Sequence, residues 1–517
     1  MARVLVVEPI SQAGLDVLAE RHEVVYRPEC GRAELLHLVG DADALIVRSA
    51  TQVDAEVLAA GQRLRVVGRA GVGVNNIDVE AATGRGVVAL NVPDGNTIAA
   101  CEQTFALMLA LARNLPLAAA SLRAGRWERE RFVGVELRGK TLGVAGLGRI
   151  GQEVCRRAAA FGMRTLAYDP FVTGGDVPLA PLDEVIAAAD FLTLHVPLTK
   201  ETRGLIGRRE LAAMKAGAFL INCARGGLVD EAALHEALVS GHLAGAALDV
   251  FAVEPPGESP LLKLDNVVAT PHLGASTREA QEVSAVLVAR YVCDALEARP
   301  VRSAVNLPAV DEAAWAAVRS LLPLGELLGA LFVQAVGGPV ASVEVRAGGS
   351  LTGQAGELLL RSCLRGLLAG VVDEPVSLVN AALIAGRRGV RAALRLEADG
   401  DAASVALHVG EHVMAGSAAG GALRITAWDG VPIDIAPAPF MVVTRHRDRP
   451  GLIGRVGTVL GAAGVNIAAM HVGRRSPRGD AVMVLTVDEP VPAALVAELR
   501  AAESFEDVRF VELPHVE

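Results

Sequence analysis

Thr141-Leu142-Gly143-Val144-Ala145-Gly146-Leu147-Gly148-Arg149-Ile150-Gly151 is the stretch that decides the fold. An apolar run, T-L-G-V-A, ends on G-x-G-x-x-G, and a stretch compatible with a helix follows. The glycines allow a tight turn and let the backbone approach a pyrophosphate, while the helix N-terminus supplies amide donors and the positive end of its dipole. Eighteen residues after Gly151, Asp169 closes the next apolar run in L-A-Y-D-P. Its carboxylate can accept ribose hydroxyls and would repel a 2′-phosphate, so NAD is expected in preference to NADP. The plain alternative is a glycine-rich turn with an incidental surface aspartate. Strand, helix and acid standing together argue against it.

Working outward, strands are expected at 141–145, 164–168, 191–194, 218–222, 244–248 and 267–269, with helices between them. Six strands in that rhythm make a complete doubly wound Rossmann domain. Upstream, the apolar runs 4–7, 44–47, 65–67 and 87–89 alternate with amphipathic stretches such as 11–19 and 54–59. Such alternation indicates a second parallel sheet covered on both faces. A long apolar-rich helix, roughly 97–113, joins the two series. The helix at about 276–298 has no strand left to precede, so it is expected to return to the first domain and make that domain discontinuous.

A chain of 517 residues exceeds one core. Hydrophobic residues at 52% and charged residues at 21% fit a globular protein rather than a disordered one. The net charge of −10 gives no reason to expect nucleic acid. The cysteines (Cys30, Cys101, Cys155, Cys223, Cys293, Cys363) are scattered without a C-x-x-C pair, which reads as reduced buried thiols with no disulfide framework and no metal site. Glu8 arrives too soon for a signal peptide. The longest uncharged stretch, 327–343, is short for a spanning helix and is interrupted by Gln334 and Gly337-Gly338-Pro339. A cytoplasmic protein without a membrane segment is expected.

After Asn306-Leu307-Pro308 the rhythm changes. Residues 310–437 mix helices with β-like runs at 390–396 and 404–409 and carry no obvious catalytic cluster. Ala436-Pro437-Ala438-Pro439 reads as a stiff linker. Beyond it lies a β-α-β-β-α-β pattern over 440–444, 451–463, 465–472, 481–487, 492–500 and 508–512, a ferredoxin-like split βαβ unit. Leu452, Val456, Val459, Leu460 and Ala463 fall on one face of its first helix, as packing on a sheet requires.

Ionisable residues stand near the carboxyl ends of the later strands, where open parallel sheets bind their ligands. Arg225 follows F-L-I-N-C-A and precedes Gly226-Gly227. Asp249 and Glu254 lie in D-V-F-A-V-E-P, and His272 follows V-V-A-T-P. Oxidising a 2-hydroxy acid requires removal of the hydroxyl proton as hydride leaves the same carbon. An imidazole ordinarily titrates at about 6.5, near operating pH, which suits His272 to that proton. Glu254 would fix its tautomer, and Arg225 can hold a carboxylate with its planar fork. Singly, each has a plainer reading: a structural histidine, a helix-capping arginine, a surface glutamate. Together, at successive strand ends behind a nucleotide fingerprint, they point to catalysis.

G-L-G-R-I-G, N-C-A-R-G-G-L-V-D-E, A-A-L-D-V-F-A-V-E-P and T-P-H-L-G-A-S-T resemble the signatures of the D-isomer-specific 2-hydroxyacid dehydrogenases. V-R-S-A-T at 47–51, G-R-A-G-V-G-V at 68–74 and G-N-T at 95–97 resemble the phosphoglycerate dehydrogenase branch. The likeness runs over essentially the whole chain and is greatest to the long form, with an allosteric substrate-binding domain followed by an ACT domain. It implies a Rossmann NAD domain (98–276) inserted in a discontinuous flavodoxin-like substrate domain (1–97 and 277–306), then an α+β intervening domain (307–437) and a ferredoxin-like ACT domain (438–517). The activity it implies is NAD-dependent oxidation of 3-phosphoglycerate at the head of L-serine biosynthesis, with L-serine as effector and a homotetramer as the assembly.

Carried over position by position, Arg225, Glu254 and His272 match the catalytic arginine, glutamate and histidine. Gly146, Gly148, Arg149, Ile150, Gly151, Asp169, Cys223, Ala224, Arg225, Asp249, His272, Leu273, Gly274 and Ala275 match the NAD contacts. Arg48, Ser49, Arg69 and Asn96 match the substrate positions, where two arginines would give a phosphate charge-assisted partners. H-R-D-R-P-G at 446–451 and A-G-V-N-I at 463–467 carry the ACT resemblance, with His446, Asp448 and Asn466 at serine-binding positions; Asp and Asn are also ordinary turn residues. Departures are Asn75 where most members have aspartate, Val72 where some place threonine, a short segment between Asp169 and Pro181 that threatens a helix, and His446 where some members carry tyrosine. Rival readings are a dehydrogenase for hydroxypyruvate, glyoxylate or D-lactate, an NAD-sensing co-repressor, and a tail that binds something other than serine.

Overall fold

The computed structural model describes residues 1–349, 351–397, 403–501 and 505–513, arranged around four sheets. The first contains β1 (Arg3–Val6), β2 (Glu23–Tyr26), β3 (Ala44–Val47), β4 (Val66–Arg69) and β5 (Val88–Leu90) in the order β2-β1-β3-β4-β5. All its pairings are parallel. That is the flavodoxin-like order. Every residue of β3 is buried, which explains the unbroken apolar run A-L-I-V. The edge strand β2 has no fully buried residue, so no such run marks it in the sequence. The helix Arg278–Leu296 returns to this sheet as expected, and Gly68 on β4 admits it: a Cβ there would lie 2.8 Å from both Val288 and Val292.

The second sheet holds β6 (Thr141–Ala145), β7 (Arg164–Tyr168), β8 (Phe191–Leu194), β9 (Ala218–Asn222), β10 (Leu243–Leu248) and β11 (Val267–Ala269). Its order is β7-β6-β8-β9-β10-β11, again wholly parallel. A classical dinucleotide fold would carry one more strand beyond β7. Here the segment after Asp169 is too short to build it: Leu179 alone bridges Ala167, in parallel sense, and no helix forms between Asp169 and Pro181. The helix Thr97–Ala112 runs between the two sheets' domains and packs on the fingerprint helix Arg149–Ala160 and on β10.

The third sheet comprises β12 (Ser342–Gly348), β13 (Arg391–Glu397), β14 (Ser404–Val409), β15 (His412–Ser417), β16 (Arg424–Trp428) and β17 (Val431–Ile435), ordered β13-β12-β14-β15-β16-β17. Only β12 and β13 pair in parallel. Helices Leu321–Ala335 and Gly353–Leu368 cover it. The stretch Glu312–Ala335 is long and apolar enough to cross a membrane. Its Leu321, Leu324, Leu328 and Leu331, however, are essentially unexposed within this domain's core.

The fourth sheet, β18 (Phe440–Arg447), β19 (Ile467–Arg474), β20 (Asp480–Val487) and β21 (Phe505–Glu512), is antiparallel in the order β19-β20-β18-β21, the ferredoxin-like arrangement. Helices Leu452–Ala462 and Ala493–Arg500 lie on the face bearing Val442, Met483, Leu485 and Val508. Leu452, Val456 and Leu460 are buried there, but Ala463 is exposed because the helix has already ended. The opposite face, with Met441, Val443, Val482, Val484 and Val511, joins the core of the third layer. Gln334 seals that contact by exchanging hydrogen bonds with the backbone of Glu512 at 2.7 and 2.9 Å. Residues 436–439 therefore connect two packed units and do not tether a free one.

Candidate active site

The fingerprint turn has the shape its glycines require. Gly146 has φ +100°, and a Cβ there would meet the carbonyl oxygen of His195 at 2.6 Å. A Cβ on Gly151 would lie 2.1 Å from the carbonyl oxygen of Gly146, so the helix can start this close to the turn only with glycine. Nothing lies within 4 Å of the corresponding point on Gly148, which leaves open space above the helix N-terminus. That cradle fits a pyrophosphate. Asp169 braces it, accepting from the amides of Leu147 at 2.8 Å and Phe171 at 2.9 Å. Arg149 points outward and pairs with Asp94 of the first domain at 2.7 Å, bridging the mouth of the cleft.

Across the cleft, Asn222 at the end of β9 shapes the next loop. Its side chain donates to the carbonyl of Arg225 and accepts from the amide of Ala224, each at 3.0 Å. Arg225 is thereby turned into the cleft, where burial lowers its guanidinium pKa against the opposing pull of Glu254. Arg69, at the end of β4, approaches from the other domain. Both guanidinium groups bracket Gly73: a Cβ there would lie 2.6 Å from Arg69 Nη1 and 3.6 Å from Arg225 Nη2. Burial and the charge of Arg225 push Arg69 down to about 10. Its own partners are neutral, the carbonyl of Arg48 at 3.1 Å and Asn75 Oδ1 at 3.3 Å. Two cations share a half-buried space with no carboxylate bonded to either, among the described residues. An anion placed between them would be stabilised by both. The aspartate-to-asparagine departure at Asn75 keeps this charge unneutralised.

His272 follows β11 and takes a left-handed backbone conformation, φ +56°, a strained setting of the kind that clusters at functional positions. Its Nδ1 lies 2.7 Å from Glu254 Oε2, and Glu254 Oε1 accepts from the amide of Phe251 at 3.1 Å. With Nδ1–H donated to the carboxylate, Nε2 is the free acceptor. The ring is half exposed, on the cleft side.

Several positions expected at the cofactor also hold the backbone around the site. Asp249 is 1% exposed and its carboxylate is fully engaged, by the Thr270 hydroxyl at 2.5 Å and the amides of Leu273 at 2.8 Å and Gly274 at 2.7 Å. It sets the turn that carries His272, and the Leu273 and Gly274 amides face inward to it. Ala275 is exposed beside them. Cys223 is buried, its thiol pushed up to about 12 by burial. Arg48 donates to the carbonyl of Pro9 at 3.2 Å, Ser49 is exposed, and Asn96 leaves a buried Oδ1 unpartnered.

Three residues escape the sequence reading. Glu8, buried after β1, accepts from the amides of Arg48 and Thr51 at 2.9 Å and of Ala50 at 3.2 Å, and so moulds the V-R-S-A-T loop. Asn76 ties the same loop through the carbonyls of Arg48 and Thr51, at 2.8 and 2.7 Å. His195 directly follows β8 against Gly146, and burial drives it down to about 4. An ionisable residue at each strand's carboxyl end is the signal that finds Glu8 and His195.

At the C-terminus, Asp448 bonds Arg474 Nη1 at 2.6 Å and the amide of Arg478 at 3.1 Å. Asn466 bonds Asp488 at 2.5 Å, at the other end of β20. With a rise of about 3.4 Å per residue, those ends stand roughly 30 Å apart. His446 is buried: its Nδ1 lies 3.1 Å from the Thr444 hydroxyl, and its ring packs edge-on against Phe505, so it faces the helices rather than solvent.

A Gly-rich dinucleotide cradle, a carboxylate-held histidine and a half-buried pair of arginines define an NAD-dependent dehydrogenase of 2-hydroxy acids. Residues 105–274 match the D-isomer specific 2-hydroxyacid dehydrogenase, NAD binding domain; residues 317–421 match the D-3-phosphoglycerate dehydrogenase intervening domain, and 440–504 the ACT domain. The chain is 44% identical to D-3-phosphoglycerate dehydrogenase of Synechocystis sp., over 99% of this chain and 95% of that one. It is 42% identical to the enzyme of the same name from Methanocaldococcus jannaschii, over 99% and 100%. Among solved structures, the TT0316 protein of Thermus thermophilus aligns with TM-score 0.55 and 42% identity, over 59% of this chain and 99% of that chain. A glyoxylate reductase from Paecilomyes thermophila aligns with TM-score 0.55 and 31% identity, over 59% and 98%. The chain belongs to the D-3-phosphoglycerate dehydrogenase family.

Proposed function

We propose that the chain oxidises 3-phospho-D-glycerate to 3-phosphohydroxypyruvate with NAD, the first step of the phosphorylated route to L-serine. The observation that carries this reading is the pairing of Arg69 and Arg225 around Gly73, beside the Glu254–His272 dyad. A phosphorylated hydroxy acid has two anionic ends. Arg225 grips the carboxylate in a fork and polarises the forming carbonyl, while Arg69 faces the phosphate. His272 Nε2 takes the hydroxyl proton, and Glu254, fixed to Nδ1, stabilises the resulting imidazolium. Bound NAD supplies the hydride acceptor, held by the turn Gly146–Gly151 with Asp169 at the ribose. Arg48, Ser49 and Asn96 complete the substrate side of this reading, the last through its unpartnered Oδ1. We divide the chain into 1–97 with 277–306, 98–276, 307–437 and 438–517.

The ACT unit is assigned to L-serine. Asp448 and Asn466 are far apart in one chain, but a two-fold axis can bring Asp448 of one subunit beside Asn466 of the next, because such interfaces are self-complementary. A homotetramer, with serine at such seams, is the assembly we propose. His446, buried in its own domain, would act on this site only through the position of β18. A cytoplasmic location accords with six unpaired cysteines. A spectrophotometric NADH assay tests the function: 3-phosphoglycerate should drive NADH formation, 3-phosphohydroxypyruvate its consumption, and L-serine should slow both. Turnover of glyoxylate or D-lactate at equal efficiency would overturn the assignment.

A further inference from the structure

A pocket of about 430 Å³, open on one side to solvent, lies in the third domain and plays no part in the chemistry above. Phe332, Val343, Leu364, Leu367 and Ala385 form its walls, and each is nearly or wholly inaccessible from outside. The volume lies within the range of small-molecule sites, about 300–1,000 Å³, and an apolar wall with few placed polar groups is their usual chemistry. Val371 stands at the lip, 51% exposed. Arg388, exposed to solvent at the rim, is the one charged residue in the lining, and among the described residues it forms no ion pair. An ammonium ligand would be repelled by it, and a bare hydrocarbon would leave its charge without a partner. A carboxylate on an aliphatic chain satisfies both the wall and the cation.

A second observation gives the site an outlet. Ala385 belongs to the helix Ala381–Arg387, and Arg388 caps its end. The other end of that helix is tied to the first domain: Asn380 Nδ2 donates to the carbonyl of Gly84 at 3.4 Å, and Ser377 Oγ to that of Gly86 at 3.5 Å. The fit is close, since a Cβ on Gly86, itself at φ +74°, would meet Ser377 Oγ at 2.7 Å. Gly86 leads directly into β5 and on to the loop holding Asn96. One short helix thus touches both the cavity and the substrate sheet.

We propose that this cavity binds a medium-chain aliphatic carboxylate, with the acid on Arg388, and that its filling is relayed through helix Ala381–Arg387 to residues 84–90. The test uses the full chain and does not depend on dehydrogenase activity. Calorimetric titration with hexanoate, octanoate and decanoate should show affinity rising about fourfold per methylene, the increment expected for buried hydrocarbon. Arg388→Gln should reduce decanoate to the affinity of 1-decanol, and Val371→Trp, placed at the exposed lip, should block both. Decanoate should also slow amide hydrogen exchange at residues 84–90 in the wild type and fail to do so in Asn380→Ala. A flat chain-length series, or indifference to Arg388→Gln, overturns the site. A Val371→Trp variant that changes oligomeric state while binding decanoate normally would assign the mouth to a second copy of the chain. Binding without slowed exchange at residues 84–90 overturns the relay.

Discussion

The cleft between the first two sheets and the ACT unit at the C-terminus both carry polar residues from separated segments, yet only the cleft assembles them. Arg69, Arg225, Glu254 and His272 come from opposite domains and meet within one chain, with two cations left unneutralised. In the ACT unit, Asp448 and Asn466 remain at opposite ends of β20, each satisfied by its own neighbour, Arg474 or Asp488. Unmatched charge marks the cleft as a place prepared for an anion. At the two ends of the ACT sheet the polar groups already have partners, Asp448 an ion pair with Arg474 and Asn466 a hydrogen bond to Asp488. In the proposed reading they serve as half-sites that need a second subunit or a ligand able to displace those partners. Catalysis should therefore survive changes that abolish regulation, and the converse should fail.

The largest effect should come from His272→Ala. Removing a positioned general base typically costs about 10²–10⁴-fold in turnover, while NADH binding, followed by fluorescence titration, should persist because the fingerprint turn is untouched. Near-normal turnover would remove the histidine from the mechanism and with it the contrast between the regions. Next in size, Asp448→Ala or Asn466→Ala should abolish inhibition by L-serine and leave basal turnover intact. Couplings of this kind are about 1–3 kcal/mol, roughly 5- to 150-fold in effector response. Calorimetry with L-serine on each variant checks it, and wild-type affinity in both would show that the half-site reading is wrong.

The smallest effect is a response to acid within the ACT unit. Burial lowers the pKa of His446 below its ordinary 6.5. As pH falls through about 6.5 the unfolded chain takes up a proton that the folded chain still refuses, so stability declines until the folded pKa is reached and then levels off. Melting monitored at Phe505-side contacts by hydrogen exchange should weaken across that window in the wild type, with a shallower slope in His446→Gln. An identical slope would mean the imidazole is not held neutral by its setting.

How much of this was legible in sequence depended on whether a feature is local. The strand β6, the glycine turn and Asp169 are contiguous or nearly so, and their chemistry follows from residue type and order. The buried strands of the parallel sheets announce themselves as apolar runs, because both faces are covered. The edge strand β2 does not, and neither do β15 to β17, whose short alternating stretches depend on tertiary partners. Within the site, residue type pointed to Arg225, Glu254 and His272. It could not tell that Asp249 spends its carboxylate on the turn at 270–274, or that Glu8 shapes the loop of Arg48, since both depend on which backbone amides come within reach. The C-terminal pattern was readable as a ferredoxin-like unit. That its sheet also packs its second face on helix Leu321–Ala335 was not, because the apolar residues on both faces of β18 look the same in a one-dimensional pattern.

The most direct test of the two-arginine cleft is substrate discrimination in Arg69→Ala. Steady-state kcat/KM is to be measured for 3-phosphoglycerate and for D-glycerate, its unphosphorylated counterpart, in the wild type and in the variant. Loss of a charged hydrogen-bonding partner is worth about 1.5–3 kcal/mol, roughly ten- to a hundredfold. The expected result is a loss of that size for 3-phosphoglycerate with D-glycerate changed by no more than a few-fold. Equal losses for the two substrates would contradict the assignment of Arg69 to the phosphate.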